Sequence, residues 1–244
     1  MKILAVIPAR YQSQRFPGKP LALVGDRPMI EWVYQAAKNA QVFDEVIVAT
    51  DSPQIATCVR NFGGKVEMTR EDHLTGTDRV AEVATRYPKM QVVANVQGDQ
   101  PFVTTEALQQ LVSPYLQGEA PEMTTLGCPL NCEEDRLNPH TVKVICSVQG
   151  HALYFSRAAI PYFRNRGEVP VYHHLGLYAF RRDFLAAYAQ LTPTPLEQCE
   201  GLEQLRVLEH GYTIRVAFTQ TSTLEINTPE DLERAQLFVS ERIA

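Results

Sequence analysis

This chain has no surplus of positive charge, no long apolar run and no closely paired cysteines of the metal-binding kind. Acidic residues outnumber basic ones, 28 to 23, for a formal net charge of −5. That balance excludes the broad electrostatic footprint of a nucleic-acid-binding domain, so an anionic ligand needs a local basic pocket. No apolar stretch approaches the roughly 18–20 residues that span a bilayer, so no membrane partner is expected. The N-terminal apolar run stops at Pro8 without a small-residue cleavage site and does not read as a signal peptide. The five cysteines (58, 128, 132, 146 and 199) are odd in number and contain no C-x-x-C pair. Zinc ligation and a disulfide framework are therefore not expected, most of these thiols read as small buried hydrophobes, and the cytoplasm is the natural compartment. Cys128 and Cys132 are the one close pair, and Pro129 and Asn131 beside them suggest a strand end. Neither Ser156 nor Cys199 sits in a nucleophile elbow or at a triad spacing, which argues against covalent acyl-transfer chemistry. Repeats, low-complexity segments and linkers are also absent; the Leu-Glu-Gln triplets at 196–198 and 202–204 fall on different helix faces.

What is present is ordinary in bulk: 244 residues, 45% hydrophobic and 21% charged, enough for one large α/β domain or a main domain with a smaller partner. The informative stretch is the start. Lys2 to Val6 reads as a buried parallel strand that empties into a loop carrying Pro8, Ala9, Arg10, Arg15, Pro17, Gly18, Lys19 and Pro20. Backbone N–H groups of such a loop can face a polyphosphate while Arg10, Arg15 and Lys19 neutralise it; a plain solvated surface loop is the alternative.

Strand and helix then alternate. Pro28 suits a first helical turn, with Ile30, Val33, Tyr34 and Ala37 on one face; Glu45 to Thr50 is a strand. Pro53 opens a helix that turns Ile55, Ala56, Val59 and Phe62 inward and stops at Gly63-Gly64. Lys65 to Met68 is a short strand, a third helix starts near Asp78 with Val80, Ala81, Ala84 and Tyr87 inward, and Gln91 to Val96 is a strand. This alternation implies a parallel sheet with helices on both faces and ligands beyond the carboxyl ends of the strands. That rule selects the Pro8–Lys19 loop, Asp51 and Gln97–Pro101, which should converge. The later strands, Met123 to Leu130, Val142 to Ser147, Ala152 to Phe155 and His174 to Phe180, have little helix between them and suggest antiparallel pairing. Pro161 to Pro170, with Arg164, Arg166 and Gly167, reads as irregular, a lid or an inter-subunit arm. Leu196 to Glu209 is expected helical, ending near Gly211. Thr228 is an N-cap with Pro229 at the first helical position of the last helix. The expected divisions are a nucleotide-binding part over 1–120, a sugar-binding and dimerisation part over 121–220, and a C-terminal segment, 221–244, returning to the first.

Gln97-Gly98-Asp99 is the best metal candidate, because a strand-end aspartate facing a basic phosphate loop suits a Mg²⁺ that bridges phosphates; an Asp-capped turn is the plainer alternative. Gly76-Thr77-Asp78-Arg79 could present backbone amides to an anion at a helix N-terminus, or be an ordinary helix start. His173 and His174 point to opposite faces of their strand, and Tyr178 shares the face of His174; a structural histidine is the default for either.

Several segments in register resemble the 3-deoxy-manno-octulosonate (Kdo) cytidylyltransferases over nearly the whole chain: IPAR-x4-R-x-PGKPL (7–21), VATD (48–51), GTDR (76–79), NVQGD-x-P (95–101), ALYFSR-x-x-IP (152–161), H-x-G-x-Y (174–178), LEQLRVL (202–208) and TPEDL (228–232). The resemblance implies a Rossmann-like α/β fold with a mixed, mostly parallel sheet of the nucleotide-diphospho-sugar transferase type, plus an antiparallel sugar-binding and dimerisation part. It implies CTP and a sugar acid as substrates, Mg²⁺ as cofactor, pyrophosphate as product and a homodimer. Carried over by position, Ala9, Arg10, Lys19, Gly76, Arg79 and Gln97 surround CTP, with Arg10 and Lys19 acting on its phosphates during transfer. Asp99 binds Mg²⁺, and Arg157, His174, Tyr178, Glu203 and Gln204 face the sugar acid. Two positions depart. Asn227 stands where such sequences carry a second metal-binding aspartate; its amide oxygen can still ligate, with one negative charge fewer. Gln100 replaces a glutamate, as in the 8-amino-Kdo branch. The acceptor is accordingly Kdo, 8-amino-Kdo or another sugar acid, and an impaired protein that only holds CTP or CMP-sugar is the reading from another class.

Overall fold

A computed structural model describes residues 1–12, 15–130, 132–165, 169–222 and 224–243, with backbone alone for 241–243. Asn131, Arg166 and Gly167 lie outside the described residues. The chain forms two compact units, residues 1–108 with 223–244, and residues 109–222.

In the first unit, β1 (Ile3–Ala9) leads through the basic loop and a 3₁₀ turn at Lys19–Leu21 to a small hairpin of β2 (Leu23–Val24) and β3 (Arg27–Pro28). Then come α1 (Met29–Asn39), β4 (Glu45–Thr50), α2 (Pro53–Asn61), β5 (Val66–Met68), α3 (Gly76–Thr85), β6 (Val92–Asn95) and the start of α4 (Thr105–Leu116). The four strands β6, β1, β4 and β5 pair in that order, all parallel. β1 is buried from Ile3 to Ile7, which is why it reads as an unbroken apolar run rather than an alternation.

The inward faces of α1 and α2 follow the sequence pattern, with Ile30, Val33, Tyr34, Ala37, Ile55, Ala56 and Val59 buried. Phe62 instead ends α2, half-buried, its ring 5.5 Å from that of Tyr34. The start of α3 differs from expectation. It begins at Gly76, because Thr75 and Asp78 form a reciprocal capping box. Its buried face is Thr77, Arg79, Val80, Val83 and Ala84, while Ala81 is half-buried and Tyr87 lies beyond the helix end.

The second unit holds the rest of α4, β7 (Met123–Pro129), α5 (Glu133–Leu137), β8 (Lys143–Cys146), β9 (Ala152–Ser156), β10 (Tyr172–Arg181), α6 (Arg182–Tyr188), α7 (Pro195–Glu200), α8 (Leu205–Glu209) and β11 (Ile214–Phe218). Antiparallel pairing joins β10 to β7 and to β8, and β8 to β9, as the sequence suggests; β11 runs parallel to β7. The single helix expected over 196–209 is in fact two. Gly201 takes a left-handed φ of 63° and closes α7, and buried Leu202 and Gln204 occupy the link before α8. The thiols are all free, but only Cys128 is buried, and Cys132 and Cys199 are exposed. The described part of 161–170 has neither helix nor strand. No helix among the described residues is long and apolar enough to cross a membrane.

The chain then returns to the first unit. Ile226 is fully buried with Val24, Met29, Ala235 and Val239, and α9 (Pro229–Ile243) follows. Thr228 and Asp231 exchange hydrogen bonds at its start, as the sequence predicts for a capped helix.

Candidate functional site

The carboxyl ends of β1 and β6 lie side by side, and the loops that leave them meet in one cavity of about 280 Å³, near the small end of the usual range for ligand sites. Gly98 makes that meeting possible. A Cβ there would stand 2.9 Å from the Pro8 carbonyl oxygen, so any other residue would push the two loops apart. Gly18 has φ 72°, which lets the basic loop turn back, its N–H donating to the Tyr11 carbonyl at 2.8 Å.

Every residue expected around the nucleotide and metal lines this cavity. Ala9 ends β1, Arg10 and Arg15 come from the loop after it, Lys19 from the 3₁₀ turn, Gly76 and Arg79 from α3, Gln97 and Asp99 from the loop after β6, and Asn227 from the C-terminal return. Lys19 Nζ meets Asp99 Oδ2 at 2.8 Å, both side chains partly covered. An ammonium carries three donors, so this contact does not exhaust it. Arg15 Nη2 donates to Asn227 Oδ1 at 3.2 Å. Arg79 is spoken for: buried, it pairs with Asp51 at 2.8 Å, donates to the Arg70 carbonyl at 3.2 Å and also bonds Thr69. It braces the 69–75 loop against the sheet, and Asp51 acts through it rather than at the cavity wall.

His73, Leu74 and Thr75 also line the cavity and went unread in the sequence. The Thr75-x-x-Asp78 box was the available signal, since it fixes where the loop ends and the helix begins. His73 Nε2 lies 2.5 Å from Glu82 Oε2, which also accepts the Arg70 N–H, while Arg86 pairs with the other oxygen of Glu82. Burial alone would raise the Glu82 pKa, but the bonds from His73 and Arg70 and the charge of Arg86 hold it low.

The donors toward a cation are a carboxylate, Asp99, and an amide oxygen, Asn227. Both are hard oxygen ligands on the wall of a basic cavity, which suits Mg²⁺. Among the described residues no group of three or more His, Cys, Asp or Glu could hold a metal. Behind Asp99 and Asn227 lies Glu225, which the sequence reading missed. The residue is exposed, and its carboxylate accepts hydrogen bonds from Gln100 and Asn227. Desolvation first, then repulsion from Asp99, raises its pKa, against bonds from Gln100 and Asn227 and the charge of Lys19.

In the second unit, His174, Tyr178 and Gln204 come together, all buried. The imidazole of His174 and the ring of Tyr178 are 5.6 Å apart, brought together although the register of β10 on β7 shifts between them. Their hydrogen bonds run one way. Tyr178 Oη donates to Gln204 Oε1 (3.1 Å), Gln204 Nε2 reaches His174 Nδ1 (3.4 Å), and His174 Nε2 meets Thr125 Oγ1 (2.9 Å), which donates to the Leu177 carbonyl (2.7 Å). Thr125 has a single proton, so His174 donates to it and is the neutral Nε2–H tautomer. Burial pushes the His174 pKa down to about 3, with the nearby His173 adding to the effect. Arg157 is engaged elsewhere, donating to the carbonyls of Glu200 (2.9 Å) and Pro139 (3.2 Å). Glu203 is half-buried, its carboxylate 3.5 Å from Tyr188 Oη.

The depressed His174 pKa has a pH signature. Below its ordinary value of 6.5 the unfolded chain gains a proton that the folded chain refuses until about pH 3. Stability is therefore whole above pH 6.5 and falls as pH drops from 6.5 toward 3, by at most about 1.4 kcal/mol per pH unit. Urea denaturation of His174→Gln is expected to show a shallower loss between pH 6.5 and 4; a slope equal to that of the unaltered protein would refute it.

A family profile described as cytidylyltransferase matches residues 4–215. A 3-deoxy-manno-octulosonate cytidylyltransferase of Acaryochloris marina is 69% identical, covering 99% of this chain and 98% of its own. Its namesake from Synechococcus elongatus is 56% identical over 99% of this chain and all of its own. A solved CMP:2-keto-3-deoxy-manno-octonic acid synthetase complexed with CTP superimposes with a TM-score of 0.94 at 39% identity, covering 99% of this chain and 100% of that one. A 4-diphosphocytidyl-2C-methyl-D-erythritol synthase from Anaerococcus prevotii (17% identity, TM-score 0.66, 98% of each chain) shares the fold.

Proposed function

The chain belongs to the 3-deoxy-manno-octulosonate cytidylyltransferase family, and we propose that it couples CTP to Kdo, giving the CMP-sugar and pyrophosphate for lipopolysaccharide or surface-polysaccharide synthesis. The observation that carries this reading is the gathering of Arg10, Arg15, Lys19, Asp99 and Asn227 from three distant segments into one cavity at the strand ends. The sugar hydroxyl attacks the α-phosphorus and pyrophosphate leaves, so the protein's work is positioning and charge neutralisation, with no covalent intermediate. Arg10 and Arg15 receive the triphosphate. Lys19, already against Asp99, shares its remaining donors with phosphate oxygens. Asp99 and Asn227 are the residues that would hold Mg²⁺, which when bound supplies charge stabilisation at the phosphates. Tyr178, Gln204, His174, Glu203 and Arg157 are the residues this reading assigns to the sugar acid; the neutral imidazole, bonded on both nitrogens, holds Gln204 and Thr125 in place and is not a base. A homodimer working in the cytoplasm completes the reading.

Gln100 gives no reason for a different acceptor. It is buried and donates to Glu225 at 3.0 Å, so its departure from glutamate has a local cause. Pyrophosphate release with CTP and Mg²⁺ should depend on Kdo in a panel that includes 8-amino-Kdo and other sugar acids. Release with another acid alone would move the acceptor, and release with none would leave a binding protein.

Arg10→Ala is expected to weaken CTP binding by about 1.5–3 kcal/mol, the scale of a charge-assisted hydrogen bond, without loss of stability, since the residue is exposed. Calorimetric titration giving an unchanged CTP affinity would remove Arg10 from the phosphate site.

A further inference from the structure

Asn227 and Gln100 are both amides where the resemblance expects acids, and the structure joins them through one carboxylate. Glu225 Oε1 accepts from Gln100 Nε2 at 3.0 Å, and Glu225 Oε2 accepts from Asn227 Nδ2 at 3.3 Å. The backbone holds this arrangement in place. The N–H of Ile226 donates to the Asp99 carbonyl at 2.9 Å, and the Ile226 side chain is buried in the core. Residues 225 and 227, flanking it, are thereby set beside Asp99 and Gln100. The Asp231 carboxylate takes the N–H groups of Asn227 and Thr228, each at 3.0 Å, and fixes the residue from the other side.

An amide has a donor end and an acceptor end, and a carboxylate accepts. With its NH₂ on Glu225, Asn227 turns its oxygen the other way, toward Arg15 at 3.2 Å and the cavity that holds Asp99 and Lys19. A glutamate at position 100 would oppose Glu225 with like charge, whereas Gln100 gives it a donor. The three residues are therefore a matched set.

Resting on the cytidylyltransferase reading, we propose that Glu225 is a positioning residue for the catalytic cation, orienting the Asn227 oxygen as a ligand and supplying from behind it the negative charge that residue 227 lacks. The cation then meets Asp99 and an amide oxygen polarised by Glu225. Partners behind a ligand of this kind typically set metal affinity by 10–100-fold.

The probe is Mn²⁺, titrated into the full-length protein and followed by the paramagnetic resonance of the free ion. Glu225→Gln keeps shape, loses charge and no longer dictates which way Asn227 points, so Mn²⁺ affinity should fall by roughly 10–100-fold. Adding Asn227→Asp to that variant should restore it, since the charge then lies on the ligand itself. Glu225→Ala, at an exposed residue, should reproduce the loss and serves if the glutamine variant does not fold. CTP affinity measured by calorimetry in EDTA should be unchanged in the two single Glu225 variants, since Glu225 is outside the cavity lining. Equal Mn²⁺ affinity with and without Glu225, failure of Asn227→Asp to rescue, or no Mn²⁺ binding by the unaltered protein would overturn the proposal. Absence of CTP binding would instead overturn the function on which it rests, a separate result in the same samples.

Discussion

Asp99→Ala is expected to lower kcat by at least about a thousandfold, about 4 kcal/mol, while the protein still folds and still binds CTP. Asp99 is the sole carboxylate on the cavity wall among the described lining residues. Its side chain is about a quarter exposed and sits on a turn, so truncation leaves no hole in the core. It does release Lys19, whose 2.8 Å partner disappears. CTP affinity without metal should therefore hold or tighten as turnover is lost, a combination that general misfolding does not produce. Steady-state rates at saturating Mg²⁺, set beside calorimetry in EDTA, provide the check. A kcat within tenfold of the unaltered enzyme would remove Asp99 from the metal.

A large effect on stability is expected at Arg206, far from any role in chemistry. Its guanidinium grips Glu197 with two parallel bonds, 2.8 Å from Nε and 2.5 Å from Nη2, and lies 5.1 Å from the centroid of the Tyr188 ring. The Glu197 carboxylate in turn caps α7 by accepting the Thr194 N–H at 3.1 Å. Side-chain exposures of 8% and 11% mean that neither ion can fall back on water if the other goes. Arg206→Leu should cost about 3–5 kcal/mol, since it strands a covered carboxylate. Replacing Glu197 by Gln in the same protein should recover part of that loss. Urea denaturation of the single and double variants tests both statements; a loss below about 1 kcal/mol for Arg206→Leu would mean that water reaches Glu197.

The parts of this protein legible in its sequence were those specified locally. The apolar run of β1, the loop glycine and prolines and the inward faces of α1 and α2 each follow from a few neighbouring residues; the ligand rule for parallel sheets brought the segments after β1 and β6 to one cavity, but not Asp51, which pairs with Arg79 instead. Gly201 was readable too, but its left-handed cap was masked by the apolar pattern that continues on both sides of it. Glu225 could not have been found that way. Nothing in Leu224-Glu225-Ile226-Asn227 tells that its carboxylate will meet Gln100, 125 positions earlier in the chain. The engagement of Arg79 with Asp51 was likewise hidden, because a strand-end acid and a helix-start arginine each look like ligand contacts until the fold pairs them.

The discontinuity of the first unit matters for how the molecule comes into being. Its nucleotide loops lie within residues 1–108, yet the segment bearing Glu225 and Asn227, and the Ile226 anchor, comes from beyond residue 223. On the ribosome the part of the cavity wall within residues 1–108 is made first, and more than a hundred residues follow before its last part emerges. Domains generally fold as units during synthesis, but this one must wait for its own tail. Until then the pocket that Ile226 will fill, formed by Val24 and Met29, stays open as apolar surface. The unit that begins the chain is therefore the last to be completed, its cavity closed only by the segment made after residue 223.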